Sequence, residues 1–435
     1  MRGISEALVA PISSRDEDNN RKSLENDVIQ GRAHIQRHEI DNGDDNNTRQ
    51  LDDREKNEGS AESSLQSRDS VRGINEVLAP LSSIDNEDLN RESLESEVLS
   101  QPPKAPPNKG GHYKEIFECI CWLMFFSIWG TLARLGLTAL EGYPGANVQA
   151  LVWVQFSGCV VMGCLSETKD FFVVGDGRNL QLFVGLTTGF CGSFTTFSSW
   201  MFSTFLAMAN AAPDFSRPRG YSVMALLDGI VVTLALAIGG LRFGANIGYF
   251  LRHGIRHGKK DTIYGFSKVS GRHAVPFLQC ASIILGIGSW IGAVLMTIFQ
   301  TEWRGVALFA VTFSPAGAIL RWYLARKLNS LYPSFPIGTF TANIFGTILI
   351  GCFSIAQQRA ADYNSATACQ VLQGLSDGFC GCLTTVSTFV LELQTLERRH
   401  AWRYGAASVC LGIIGMCLTT GVDNWRFRKH VQLGC

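Results

Sequence analysis

The sequence predicts an all-α integral membrane protein in which two four-helix repeats of inverted topology are joined by one linking transmembrane helix, giving nine spans behind a disordered N-terminal tail. Three observations predict it. Apolar segments close to the roughly 20 residues needed to cross a hydrocarbon core follow one another from about position 115. A twelve-residue motif, Gly189-Phe-Cys-Gly-Ser-Phe-Thr-Thr-Phe-Ser-Ser-Trp200, returns 189 residues later as Gly378-Phe-Cys-Gly-Cys-Leu-Thr-Thr-Val-Ser-Thr-Phe389. Basic residues crowd only some of the connections, which orients the chain in the bilayer.

Residues 1–112 are rich in Asp, Glu, Asn, Ser and Arg and poor in aromatics, so they cannot bury enough surface to offset chain entropy. A disordered cytoplasmic tail is expected. Within it Arg2-Gly-Ile-Ser-Glu-Ala-Leu is echoed by Arg72-Gly-Ile-Asn-Glu-Val-Leu, and Ser23-Leu-Glu by Ser93-Leu-Glu, which reads as a duplicated spacer. Serines beside acidic residues also offer phosphorylation sites. Pro102-Pro103 to Pro106-Pro107 would close the tail as a stiff linker. The first thirty residues are polar and charged, so no cleavable signal peptide is expected.

The nine spans fall at about 116–140, 147–165, 180–209, 222–250, 278–299, 305–327, 336–356, 369–393 and 404–422. They divide the chain into a first four-span domain (113–251), a basic cytoplasmic loop with the linking span (252–304), a second four-span domain (305–423) and a short tail (424–435). Arg252, Arg256, Lys259, Lys260, Lys268 and Arg272 follow span four, Arg326 and Lys327 span six, and Arg398, Arg399 and Arg403 span eight. All lie on one side, which is then cytoplasmic together with the N-terminus, leaving the C-terminus outside. Arg426, Arg428 and Lys429 run against that pattern.

Other features repeat in step with the motif. Gly130-Thr-Leu-Ala-Arg134 answers Gly317-Ala-Ile-Leu-Arg321, and Gln155, Gly158 and Gly163 match Asn343, Gly346 and Gly351 at identical spacing. Four spans return the chain to its starting side, so a single linking span turns the second copy upside down. Such pairs place their sites at the repeat interface near the bilayer midplane.

Several function classes lack support. With 38 basic and 38 acidic residues the formal charge is zero, which suggests neither nucleic acid nor an acidic substrate as partner. The thirteen cysteines sit mostly in apolar segments at spacings unlike zinc or redox patterns, and read as small packing residues. His112, His253, His257, His273, His400 and His430 lie in tails or loops. No nucleophile triad or phosphate-binding loop is present, so neither an enzyme nor an ATP-driven pump is expected. Asp228 and Asp377 are read as the acidic residues nearest the membrane interior, with capping or interfacial roles.

These motifs, Gly-x-x-x-Arg, Asn-x-x-Gly and Gly-Phe-Cys-Gly-x-x-Thr-Thr, closely resemble the fluoride channel (Fluc, CrcB-like) family, over about residues 116–422. The fused double form resembles the eukaryotic fluoride exporters called FEX. The resemblance implies passive fluoride export across the plasma membrane by a chain that acts as a monomer, a pseudo-dimer in itself. It also implies a structural sodium ion at the repeat interface, held by backbone carbonyls of Gly192, Ser193, Gly381 and Cys382. In the family each pore takes its first aromatic from one half and its second from the other. That implies one pore with Phe197 and Phe389 and a mate with Val386 and Trp200, impaired because valine has no ring edge and tryptophan is bulkier.

The residue types fit a small, strongly hydrated anion, which must exchange water for hydrogen-bond donors without meeting a trapping charge. Thr196, Ser198, Ser199, Thr385, Ser387 and Thr388 offer hydroxyls, and Asn343 and Gln155 offer amide N–H groups. Arg134 and Arg321, near the ends of their spans, are expected at vestibules that attract anions. The rival class is a coupled secondary transporter with inverted repeats, which would need a membrane-embedded carboxylate.

Overall fold

The computed structural model describes residues 109–143, 150–172, 179–211, 220–258 and 274–422. Most of the expected tail (residues 1–108), most of the basic loop and the C-terminal segment lie outside these residues.

Every regular element among the described residues is helical. The first repeat contains α1 (Lys109–Glu141), α2 (Ala150–Glu167), α3 (Leu180–Val184), α4 (Phe197–Ala209) and α5 (Tyr221–Gly258). Helix α6 (Ala274–Phe299) links it to α7 (Phe309–Leu328), α8 (Ile337–Asp362), α9 (Ala366–Gly374), α10 (Ser387–Thr395) and α11 (Arg398–Met416). Helix α3 runs on through a wider π-helical stretch, Gly185–Cys191, into the short turn Gly192–Phe194. Helix α9 does the same through Leu375–Cys380 into Gly381–Leu383.

Seven helical stretches are long and apolar enough to cross a membrane, from Tyr113–Glu141 to Arg398–Gly421, and Leu151–Glu167 is a shorter apolar helix. The stretch expected as the third span is two helices, α3 and α4, separated at Thr195–Thr196. Other boundaries moved as well. Helix α5 outlasts its expected end at 250, so Arg252 is helical and pairs with Glu167 at 3.3 Å and with Asp170. Helix α11 begins at Arg398 and not at 404, because its polar first turns continue the helix beyond the apolar run.

Close packing rests on small residues, as expected where lipid offers no hydrophobic drive between helices. Gly240, Gly244 and Gly248 repeat every four residues on α5 and face the backbone of α2. A Cβ on Gly240 would lie 2.7 Å from the Phe156 carbonyl, and one on Gly244 would strike that of Val160. Helix α6 packs on α1 and α7 and leaves Ile284, Ile291 and Ile298 exposed. Arg304 closes its C-terminal end by donating to the carbonyls of Thr297 and Ile298, each at 2.7 Å.

The repeats interlock through their second half-helices. Helix α4 packs on α8 and α11 of the other repeat, while α10 packs on α2 and α5. The buried core containing Phe197, Trp200, Met201, Phe389, Tyr404 and Met416 therefore draws on both.

Candidate functional site

The site is the place where the two broken helices cross. Glycine and hydroxyl residues make the break possible: Thr195 and Thr196 are extended (φ −89°, ψ 152° and φ −145°, ψ 124°), as is Thr384 (φ −102°, ψ 154°). Each break strands the N–H groups that open the following half-helix, and in a membrane such groups cost several kcal/mol unless paired.

The opposite repeat supplies the partners. Thr384 Oγ1 accepts from the N–H groups of Phe197 (3.1 Å) and Ser198 (3.0 Å). Reciprocally, Thr195 Oγ1 accepts from those of Val386 (3.2 Å) and Ser387 (3.0 Å). Both threonines are absent from the residues expected from sequence, although each stands in both motif copies. Around them the hydroxyls form two matching buried clusters, one about each threonine. Thr195 meets Thr385 at 3.2 Å and Ser387 at 3.0 Å, while Thr196 meets Thr384 at 3.2 Å and Ser198 meets Thr384 at 3.0 Å. Ser199 and Thr388 are half-buried at their margins.

The two amides fill a more local role than donation to an anion. Gln155 donates to the Thr196 carbonyl at 2.7 Å and accepts from the Thr196 N–H at 3.3 Å. Asn343 treats Thr385 the same way, at 3.2 Å and 2.9 Å. Each clamps one residue at the break through both its N–H and its carbonyl.

Beside these clusters the aromatic residues form a chain. Phe197 and Phe389 meet edge to face, centroids 5.5 Å apart, and Phe389 continues to Tyr404 at 5.2 Å. Trp200 stands edge-on to Phe197 at 5.3 Å and donates its indole N–H to the Gly229 carbonyl of α5 at 2.8 Å. Val386 is buried and takes no part in a ring contact.

Next to Phe389 the structure holds a carboxylate that the sequence reading overlooked. Glu392 accepts from Thr339 Oγ1 at 2.6 Å, from Asn329 Nδ2 at 3.3 Å and from Tyr404 OH at 2.7 Å. Glu392 joins Asp228 and Asp377 as a further carboxylate of the membrane stretches. Asp228 is exposed, and Asp377 accepts from Gln373 at 2.6 Å. A glutamate one helical turn beyond the motif's last aromatic was the available signal.

Arg134 and Arg321 are placed differently from the expected vestibules: they are 4% and 2% exposed. One turn before each, a glycine seats its helix on the motif of its own repeat. A Cβ on Gly130 would lie 2.6 Å from the Phe190 carbonyl, and one on Gly317 would collide with that of Phe379. The arginines then reach across. Arg134 Nη1 donates to the Ser193 carbonyl at 2.7 Å and Nη2 to the Asp377 carbonyl; Arg321 Nη2 donates to the Thr188 carbonyl at 2.5 Å.

Those positions decide the fit of the implied sodium ion. Carbonyls at the end of a half-helix are hard oxygen donors with partial negative charge, chemistry that suits a small cation. Yet Arg134 already engages the Ser193 carbonyl, its guanidinium fills the space beside Gly381, and that of Arg321 fills the space beside Gly192. As arranged, Gly192, Ser193, Gly381 and Cys382 do not fit a sodium ion.

The family model described as CrcB-like protein, Camphor Resistance (CrcB), matches residues 121–241 and again 308–422. Fluoride export protein 1 of Neurospora crassa is 38% identical over 358 residues, covering 70% of this chain and 66% of that protein. Fluoride export protein 1 of Schizosaccharomyces pombe is 37% identical over 311 residues, 70% of this chain and 96% of its own. The fluoride-specific ion channel FluC of Acinetobacter baumannii is 39% identical over 107 residues, 25% of this chain and 81% of that one. No solved structure matches.

Proposed function

This chain belongs to the CrcB-like protein family, and from that premise we propose that it is a fluoride-selective channel through which fluoride leaves the cytoplasm passively. The observation that carries the reading is the edge-to-face pair of Phe197 and Phe389, one from each repeat, at the start of two half-helices. Ring edges and helix N-termini both present partial positive charge, so an anion is favoured there without a fixed cation that would trap it. The inside-negative potential then contributes about 2.3 kcal/mol per charge per 100 mV toward exit, and neither a cofactor nor metabolic energy is needed.

The single conducting route is the one with Phe197 and Phe389, while Trp200 and Val386 close its mate. The tryptophan's bond to Gly229, which holds its ring in place, supports that assignment. The protein crosses the plasma membrane nine times, with the N-terminus cytoplasmic, the C-terminus outside and the repeats inverted. The seven long apolar helices, the shorter Leu151–Glu167 and the broken pair α3–α4 supply the crossings. Cys369, at the end of α9 assigned to the outside, is disulfide-bonded, which suits an oxidising compartment and is an exception to the reading of the cysteines as packing residues. The chain acts as a monomer and without nucleic acid.

Glu392 keeps one second reading in view, since a half-buried carboxylate within a membrane stretch is what a proton-coupled transporter would use. Efflux from liposomes holding the purified chain separates the two. Fluoride release faster than chloride, with no pH gradient, is expected of the channel; strict dependence on a proton gradient would sink it.

A further inference from the structure

We propose that the guanidinium groups of Arg134 and Arg321 are the resident cations of the repeat interface, standing where the family resemblance places a sodium ion. Ser193 lies in the last turn of its first half-helix, where carbonyls lack a following turn and carry partial negative charge. Thr188 and Asp377 lie in the π-helical stretches Gly185–Cys191 and Leu375–Cys380 and turn their carbonyls to the arginines. A cation is needed there, and the chain provides its own. Arg134, from the first repeat, bridges the Ser193 carbonyl of its own motif and the Asp377 carbonyl of the other. Arg321, from the second repeat, donates to Thr188 of the first.

The glycines make room for this crossing. A side chain on Gly192 would strike the guanidinium of Arg321, and one on Gly381 would meet that of Arg134 at 2.6 Å from Nη1. Arg321 is almost wholly buried and, among the described residues, its Nε and Nη1 have no hydrogen-bond partner, so its charge is answered by the backbone carbonyl of Thr188. A sodium ion would have to displace Arg134 from Ser193 and share a dry space with two fixed positive charges, which repel it at short range. The interface is therefore held without sodium.

Thermal unfolding of the purified full-length chain in detergent, in sodium, potassium and N-methylglucamine chloride at equal ionic strength, tests this. Ligand linkage makes a bound ion visible as a concentration-dependent midpoint. The three midpoints are expected to agree within about 1 °C, and fluoride efflux from liposomes to agree within about twofold. A midpoint rising saturably with sodium by about 4 °C or more overturns the proposal. Arg321→Met is expected to gain such a rise, because its carbonyls lose their cation. A folded Arg321→Met equally stable in all three salts overturns it too, and the wild-type comparison decides alone if that variant does not fold. The melting readout is indifferent to which anion passes, so this inference and the fluoride reading fail separately.

Discussion

Phe197 and Val386 occupy corresponding places in the two motif copies, yet only Phe197 has a ring edge to offer. Phe197→Ala or Phe389→Ala is expected to lower fluoride flux in reconstituted vesicles at least tenfold, and Val386→Ala to change it less than about twofold. Equal losses would show that both routes conduct. Trp200 calls for a gentler change than alanine, because its 1% exposure and its bond to Gly229 mean that truncation costs about 3–5 kcal/mol of packing before flux is read. Trp200→Phe leaves the ring and is expected to keep flux near wild type. The crossed threonines can be probed separately. Thr384→Val keeps the shape but deprives the Phe197 and Ser198 N–H groups of their acceptor, an expected cost of about 1–3 kcal/mol. Thermal unfolding measures it, and a midpoint unchanged from wild type would show that these N–H groups find other partners.

Between helices, the α2–α5 contact is set by how near two backbones can come. Gly244→Leu would push α5 from the Val160 carbonyl, and overpacking of this kind costs about 1–3 kcal/mol or more. Gly239→Leu is the matched control, since its position on the same helix has nothing within 4 Å. The expected outcome is a loss of monodisperse protein on size exclusion for the first and none for the second. The same packing lets α10 settle on α2 and α5, so a failed contact here should also cost the interlock of the repeats. Helix α6 asks less of its neighbours. Its long exposed apolar face suits a connector whose task is to carry the chain across once.

Across the whole molecule, the two repeats exchange partners. Each copy lends the other a threonine, an arginine and a half-helix. The proposed nine crossings make a direct prediction: in sealed, right-side-out vesicles, residues 252–273 are shielded from added protease and the segment after 422 is cleaved. The opposite pattern would overturn the inversion.

The sequence by itself determined roughly where the helices run and that the chain is a duplicate, while the breaks at Thr195–Thr196 and at Thr384 came from the structure. The first two are local: hydrocarbon thickness selects apolar lengths near 20 residues, and a repeated motif can be read wherever it stands. The resemblance of the sequence's motifs to the CrcB-like family also pointed to Phe197 and Phe389. What the sequence left open were the partners. Thr195 and Thr384 act on N–H groups 186 to 192 residues away, Arg134 and Arg321 turn inward to the other repeat, and Gln155 and Asn343 use their amides on backbone. Glu392 becomes a site residue only because Thr339, Asn329 and Tyr404 arrive from three other segments. A side chain's hydrogen-bonding capacity is written in its identity, but which group satisfies it is decided by the fold, because burial without water forces every donor and acceptor to choose the neighbour that packing brings.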